Sequence, residues 1–150
     1  MRHGGDWHHP WRAFRALVEW KLVWAHLPGD LMGHTDFATK TVTLDLGIDQ
    51  HERRCTIDHE CEHILRGPVA DLYWAREERT IDLISARRLI PLDRLVDAMV
   101  WCYHEEELAD HLWVDGPTLR VRLENLTDAE TATINQRLDA AELSFPTECC

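Results

Sequence analysis

The residues of this chain whose types and spacing could do chemistry lie between Thr56 and Leu65, where His59, Glu60 and His63 form a His-Glu-x-x-His pattern. On a helix, residues four apart project from one face, so the two imidazoles can reach one metal. Glu60 then sits beside that metal, where a carboxylate can take a proton from water without itself being a ligand. Two imidazoles, a neighbouring base and room for water are the parts of a zinc hydrolase centre.

A helix has to carry the pattern for this to hold. Asp49 followed by Glu52 has the form of a reciprocal N-terminal cap, and Gly67-Pro68 is a stop signal, so a helix is expected between them. Ile57, Cys61, Ile64 and Leu65 supply its apolar stripe. Cys61 lies well around the helix from His59 and is expected in the core.

A second helix is expected from about Asp71 to Ile90, with Trp74, Ile81, Ile84, Ser85 and Leu89 facing inward. Glu77 and Glu78 flank that inward face. A carboxylate on an apolar stripe is costly unless it is paired or bound to a cation, so at least one of the two requires a partner. An antiparallel pair of helices joined by a short loop brings His59, His63 and Glu78 to one level. Helical position alone leaves Glu77 open as the alternative.

Around these two helices the chain reads as mainly helical α+β. Trp11, Phe14, Leu17, Val18, Leu22 and Ala25 recur at helical spacing, which predicts one long first helix ending at Pro28-Gly29. Val42, Leu44 and Leu46 alternate with Thr43 and Asp45 as in a half-buried strand, with Leu31 to Ala38 as its partner across a Thr39-Lys40 turn. That small N-terminal sheet or hairpin is expected to pack on the active-site helix. Pro91 opens a further helix carrying Leu92, Leu95, Val96 and Met99. Glu105 to Leu112 and Thr118 to Leu126 then form a helix-turn-helix-like pair, and Thr127 to Glu130 caps a last helix. The expectation is a single metallopeptidase domain over residues 1–150, with a helical subregion at about 91–143. Ser144 to Cys150 reads as a frayed tail.

Composition narrows the classes of function. Sixteen basic residues against 27 acidic ones give a net charge of −11, which repels phosphate backbones and argues against nucleic-acid binding. The seven tryptophans fall mostly on helical stripes and are expected in the core. His3, His8 and His9 are expected as exposed side chains near the start. With no run of eighteen apolar residues and no basic start followed by an apolar stretch, neither a membrane span nor a signal peptide is expected. Five scattered cysteines without a C-x-x-C pair fit reduced thiols, hence a cytoplasmic protein.

Together, the strand at Val42 to Leu46, the helix Arg53 to His63 and the run Glu78-Arg79-Thr80-Ile81-Asp82-Leu83-Ile84-Ser85 through Pro91 resemble the ImmA/IrrE family of small zinc metallopeptidases. The resemblance covers roughly residues 10–126. It implies that His59, His63 and Glu78 are zinc ligands and Glu60 the catalytic base, since counting back thirteen residues from Pro91 arrives at Glu78. It also implies a protein substrate, with a helix-turn-helix transcriptional repressor of a mobile element as a candidate. The chain departs from the family in a short interval between His63 and Glu78, and in Ile81-Asp82 and Ile84-Ser85 where Ala-Asn or Ala-Asp and then Phe-Ala are usual.

The expected activity is thus zinc-dependent cleavage of a peptide bond. The residue that would stabilise the oxyanion is open among Tyr73, Tyr103, His104 and His34. Glu77, if it is not a ligand, is expected to be exposed and paired with Arg76 or Arg79. The alternative is a non-catalytic regulatory or partner-binding protein with the same metal site closed by a fourth protein ligand, His104 or Cys55.

Overall fold

A computed structural model describes residues 7–144. The first element is a short helix, α1 (Pro10–Ala16), with Pro10 at its first turn and Phe14 buried. The chain then turns through Leu17 to Trp20 and enters β1 (Lys21–Ala25). The long first helix expected from the sequence is therefore wrong over its second half. Residues 21–25 pair in parallel with β3 (Thr41–Asp45), from Lys21 against Thr41 to Ala25 against Asp45. An apolar run of this length fits a helix or a strand equally by spacing, and the sheet's hydrogen bonds decide it.

Between these two strands in sequence comes β2 (Gly33–Asp36), antiparallel to β3 with Gly33 against Leu44 and Asp36 against Thr41. The sheet order is β1-β3-β2, so β3 is central and β2 is an edge. The strand and its partner lie where the alternation at Val42 and Leu44 places them, with both of these side chains fully buried. They pack with Phe14, Ile48, Ile57 and Cys61 into a core shared by α1, the sheet and the next helix.

That helix, α2 (Gln50–Arg66), has the expected capping box: the Asp49 side chain accepts from Glu52 N–H at 2.9 Å, and Glu52 accepts from Asp49 N–H at 2.8 Å. Its C-terminus ends at Gly67 with φ 85, a left-handed setting that glycine adopts without cost. A 3₁₀ turn at Asp71–Tyr73 leads into α3 (Trp74–Leu89), which packs on α2.

The remainder is helical: α4 (Leu92–Trp101), α5 (Glu105–Leu112), α6 (Gly116–Glu124) and α7 (Asp128–Ser144). Pro91 precedes α4, the Asp115 side chain caps α6 by accepting from Thr118 N–H, and Thr127 with Glu130 forms the second capping box at α7. Leu95, Leu108, Leu112, Val114, Leu119 and Ile134 make a second core with Leu89 and Ile90. The fold is α+β and mainly helical, as read from the sequence.

Several expectations about side chains fail, and Leu65 of the α2 stripe, Leu46 of the strand face and Val18 are all exposed. None of the seven tryptophans is fully buried, and Trp24, Trp74, Trp101 and Trp113 are exposed. Apolar core space is filled instead by aliphatic residues, while the indoles lie at its rim. His8 is not merely a surface residue either, because its Nε2 lies 2.6 Å from Asp58 Oδ1. Cys55 and Cys61 are buried, and Cys55, Cys61 and Cys102 are free thiols. His3, Cys149, Cys150 and the tail expected beyond Ser144 lie outside the described residues. No described helix is long and apolar enough to cross a membrane.

Candidate metal centre

The third turn of α2 and the first turns of α3 face each other, and there His59, His63 and Glu78 come together. Their donor atoms all lie within 4.8 Å of one another, the one such group among the described residues. His59 Nε2 is 3.2 Å from His63 Nε2 and 3.2 Å from Glu78 Oε2, and His63 Nε2 is 2.6 Å from Glu78 Oε1. Ligands about 2.0–2.1 Å from a tetrahedral zinc stand about 3.3 Å apart, so two of these three separations already match. Glu78 Oε1 is buried and, despite its closeness to His63, makes no hydrogen bond of acceptable geometry. A buried carboxylate oxygen lacking a well-aligned donor, beside two imidazole nitrogens, fits a divalent cation.

The surroundings fix each imidazole. His59 Nδ1 lies 3.0 Å from Asp82 Oδ1, one helical turn after Glu78. A carboxylate at Nδ1 selects the tautomer whose Nε2 lone pair is available to a metal, and it raises the basicity of the ring. His63 is stacked by Trp74, with rings 5.2 Å apart and 6° from parallel. Trp74 was expected in the core; it is instead a half-exposed cover over a buried imidazole.

The charges respond to this crowding. Burial alone would push His59 down, but the hydrogen bonds with Asp82 and Glu78 raise it to about 10. Burial would raise the Glu78 carboxyl, whereas the two imidazoles bring it down to about 2. The proton on His59 thus holds this imidazole and Glu78 together as an ion pair 3.2 Å apart. A metal would take the place of that proton.

Glu60 is buried, and Thr35 Oγ1 on β2 donates to its Oε2 at 2.5 Å. Its position depends on Gly33, since a Cβ there would stand 2.8 Å from Glu60 Oε1 and 2.5 Å from Thr56 Cγ2. Edge strand β2 can therefore lie closer to α2 than any side chain would allow. His59, Glu60, Glu78 and Asp82 all line one cleft of about 280 Å³, whose far wall is Leu31, Met32 and Val121.

The sequence reading of the two glutamates separates here. Glu78 joins the imidazoles, whereas Glu77 is buried and forms a two-pronged pair with Arg66, through Nε to Oε1 and through Nη2 to Oε2 at 3.1 Å. The Arg66 guanidinium holds the Glu77 carboxyl below its usual range. Glu77 was thus wrongly expected to be exposed and paired with Arg76 or Arg79. The partner comes from the last turn of α2, which helical neighbourhood within α3 does not reveal.

None of Tyr73, Tyr103, His104 and His34 lines the cleft. Among the described residues no fourth protein ligand joins the group. His104 is exposed at the N-cap of α5. Cys55 lines the cleft, but its sulfur accepts from Asp115 N–H at 3.4 Å, and burial pushes its thiol up to about 12. Thr35, Gly33, Asp82 and Trp74 are the site residues that spacing did not single out. Asp82 alone carried a signal, being four residues after Glu78 on the same helix face.

Arg122 is 2% exposed and is spent on Ile90 C=O and on Glu130 at 2.8 Å. No protein-family model matches the chain, and no curated protein matches it in sequence.

Proposed function

We propose that the protein is a zinc-dependent metallopeptidase acting on a protein substrate, with His59, His63 and Glu78 as ligands and Glu60 as the base. One observation carries the reading: two imidazole nitrogens and a carboxylate converge, and two of the three residues, His59 and Glu78, line a cleft that also presents a buried, oriented glutamate. A zinc ion held by these three residues would supply Lewis acidity, which lowers the pKa of water and polarises a peptide carbonyl.

The chain's own residues do the remainder. The Glu60 carboxylate takes a proton from water and returns it to the leaving amine, so one group serves as base and then as acid. Thr35 fixes one carboxylate oxygen, and the other stands beside Gly33. Asp82 holds His59 in its ligating tautomer, and Trp74 restrains His63. Leu31, Met32 and Val121 form the apolar wall against which a substrate side chain packs. The family resemblance adds a helix-turn-helix transcriptional repressor as the candidate substrate. The free thiols of Cys55, Cys61 and Cys102 fit a reducing compartment, the cytoplasm.

The test pairs elemental analysis with hydrolysis of unstructured protein. The expected outcome is one zinc per chain, with Glu60→Gln keeping its zinc and losing at least about a hundredfold in cleavage rate. Wild-type protein that stays metal-free after refolding with zinc overturns the site. Zinc-loaded protein that cleaves nothing turns the reading into that of a non-catalytic metal-binding regulator.

A further inference from the structure

A second concave surface lies on the first turns of α2, on the side of the helix where Arg53 and Arg54 project. It encloses about 530 Å³ between Trp7, Trp11, Trp113 and these two arginines. Its rings and guanidinium groups continue into a row that extends beyond the lining to Trp24 and Arg94. Trp11 stacks on Trp24 at 6.4 Å, Arg53 lies over the Trp24 ring at 5.0 Å, and Arg54 and Arg94 lie over Trp7 at 5.6 and 3.0 Å. Trp113 closes one end, where its carbonyl accepts from Arg54 Nη1 at 2.9 Å.

Three features make this row anomalous as a purely structural clasp. First, in a chain of net charge −11, no carboxylate among the described residues lies within ion-pair distance of Arg53, Arg54 or Arg94. Other arginines of comparable setting are paired, as Arg66 with Glu77, Arg88 with Asp58 and Arg122 with Glu130. Second, Arg53 Nε and Trp7 Nε1 are buried donors with no acceptor. Third, burial holds Arg54 and Arg94 below the usual guanidinium range, even though Asp58 favours the charge on Arg54 and Asp93 that on Arg94. The groove therefore offers hydrogen-bond donors, positive charge and flat apolar faces, and it lacks acceptors to match.

We propose that this groove docks a segment of a partner polypeptide in which carboxylate side chains alternate with apolar ones. The carboxylates would pair with Arg53 and Arg54 in the groove and with Arg94 beside it over Trp7, and the apolar side chains would lie on Trp11 and Trp113. Charge selects the polypeptide over a nucleic acid. A net charge of −11 opposes a polymer with a phosphate at every step, whereas a peptide places its few carboxylates only at the arginines. The groove also adjoins the metal cleft, because Cys55 and Asp115, in the cleft wall, directly follow or lie two residues beyond Arg54 and Trp113. The docking itself depends on none of the metal ligands.

Binding to the full-length protein is measured by fluorescence anisotropy with three labelled probes: a peptide of Glu, Leu and Ala, its counterpart with Gln for Glu, and single-stranded oligothymidylate. The Glu peptide is expected to bind, and at least about tenfold more tightly than the Gln peptide or the oligonucleotide. Arg53→Gln with Arg94→Gln should remove at least about tenfold of that affinity, and Arg53→Lys with Arg94→Lys should recover part of it. Unchanged thermal melting and zinc content show that the variants remain folded. Equal binding of the Glu and Gln peptides, preference for the oligonucleotide, or full affinity in the Gln variant overturns the proposal. Protein that binds the Glu peptide but holds no zinc leaves the docking site standing and removes only the peptidase reading.

Discussion

Helix α2 carries two polar clusters where it meets α3, and they are finished in opposite ways. On one side Asp58 is fully buried and accepts from Ser85 at 2.6 Å, from Arg88 at 3.0 Å and from His8 at 2.6 Å, while Glu62 takes the other arm of Arg88 at 2.8 Å. Burial alone would raise the Asp58 carboxyl, but these partners hold it below its usual range. On the other side, one residue along, His59 begins a group with a carboxylate and two imidazoles and no lysine or arginine. The first cluster contains its own cation. The second has the same need and no permanent cation, only the proton on His59, and that difference, more than the presence of histidines, separates a structural network from a candidate site.

The sharpest way to break this comparison is to remove a convergent ligand. Glu78→Gln should weaken zinc binding by about a thousandfold, one ligand's share of the roughly 10–16 kcal/mol available to zinc in such sites. Glu77→Gln should leave affinity unchanged, because that carboxylate belongs to Arg66. Competition against a chromogenic chelator measures both, and a larger loss for Glu77→Gln would reverse their roles.

Removing Asp58 should act on folding instead. Asp58→Ala leaves Ser85 and one arm of Arg88 without their acceptor, at a cost of about 3 kcal/mol, the lower end for breaking a buried pair because Glu62 still engages Arg88. Denaturant unfolding of the metal-free protein reads it. Zinc affinity lost in proportion to stability would show that the two clusters are not separable.

A smaller effect is expected at Asp82, which touches His59 but not the metal position. Asp82→Asn should lower zinc affinity by about ten- to a hundredfold without changing the number of ions bound. An affinity equal to that of wild type in isothermal titration would mean that Asp82 does not orient the imidazole.

The Arg122–Glu130 pair extends the self-contained class to the C-terminal helices. Hydrogen bonds from Arg122 draw the Glu130 carboxyl from 4.5 down to about 2. A depressed acid stabilises the fold fully above its unfolded pKa, and that contribution is lost as pH falls through the folded value. Glu130→Gln should therefore melt lower than wild type at neutral pH, with the gap narrowing from about pH 4.5 and closing near pH 2. A gap that persists at pH 2 would assign the loss to packing.

The self-framing elements were the legible ones. Asp49 and Glu52 announced α2, the alternation at Val42 and Leu44 announced β3, and Glu78 was reached by the count back from Pro91 that the family resemblance implies. What escaped depends on partners distant in sequence. β1 is a strand because β3 lies beside it, Glu77 is buried because Arg66 reaches it, and Thr35 matters because β2 runs past Glu60. The tryptophans misled for a related reason: helical spacing says which face a side chain shares, but an indole's size keeps it at the rim of a core this small. The arginine row was invisible because its members come from α2 and α4, and the rings beneath them from the N-terminal segment and β1.

Gly33 links two histories that the chain otherwise keeps apart. Its backbone is ordinary extended strand, so conformation alone places no demand for glycine there. The demand comes from Glu60 and Thr56, which occupy the space a methyl group would need. Position 33 is therefore not free to drift while residue 60 remains glutamate. A descendant in which Glu60 and Thr56 both became smaller would release that constraint and could accept a side chain at 33. Under the proposed function, linked changes at these three positions would record a lineage that gave up its base and kept its fold.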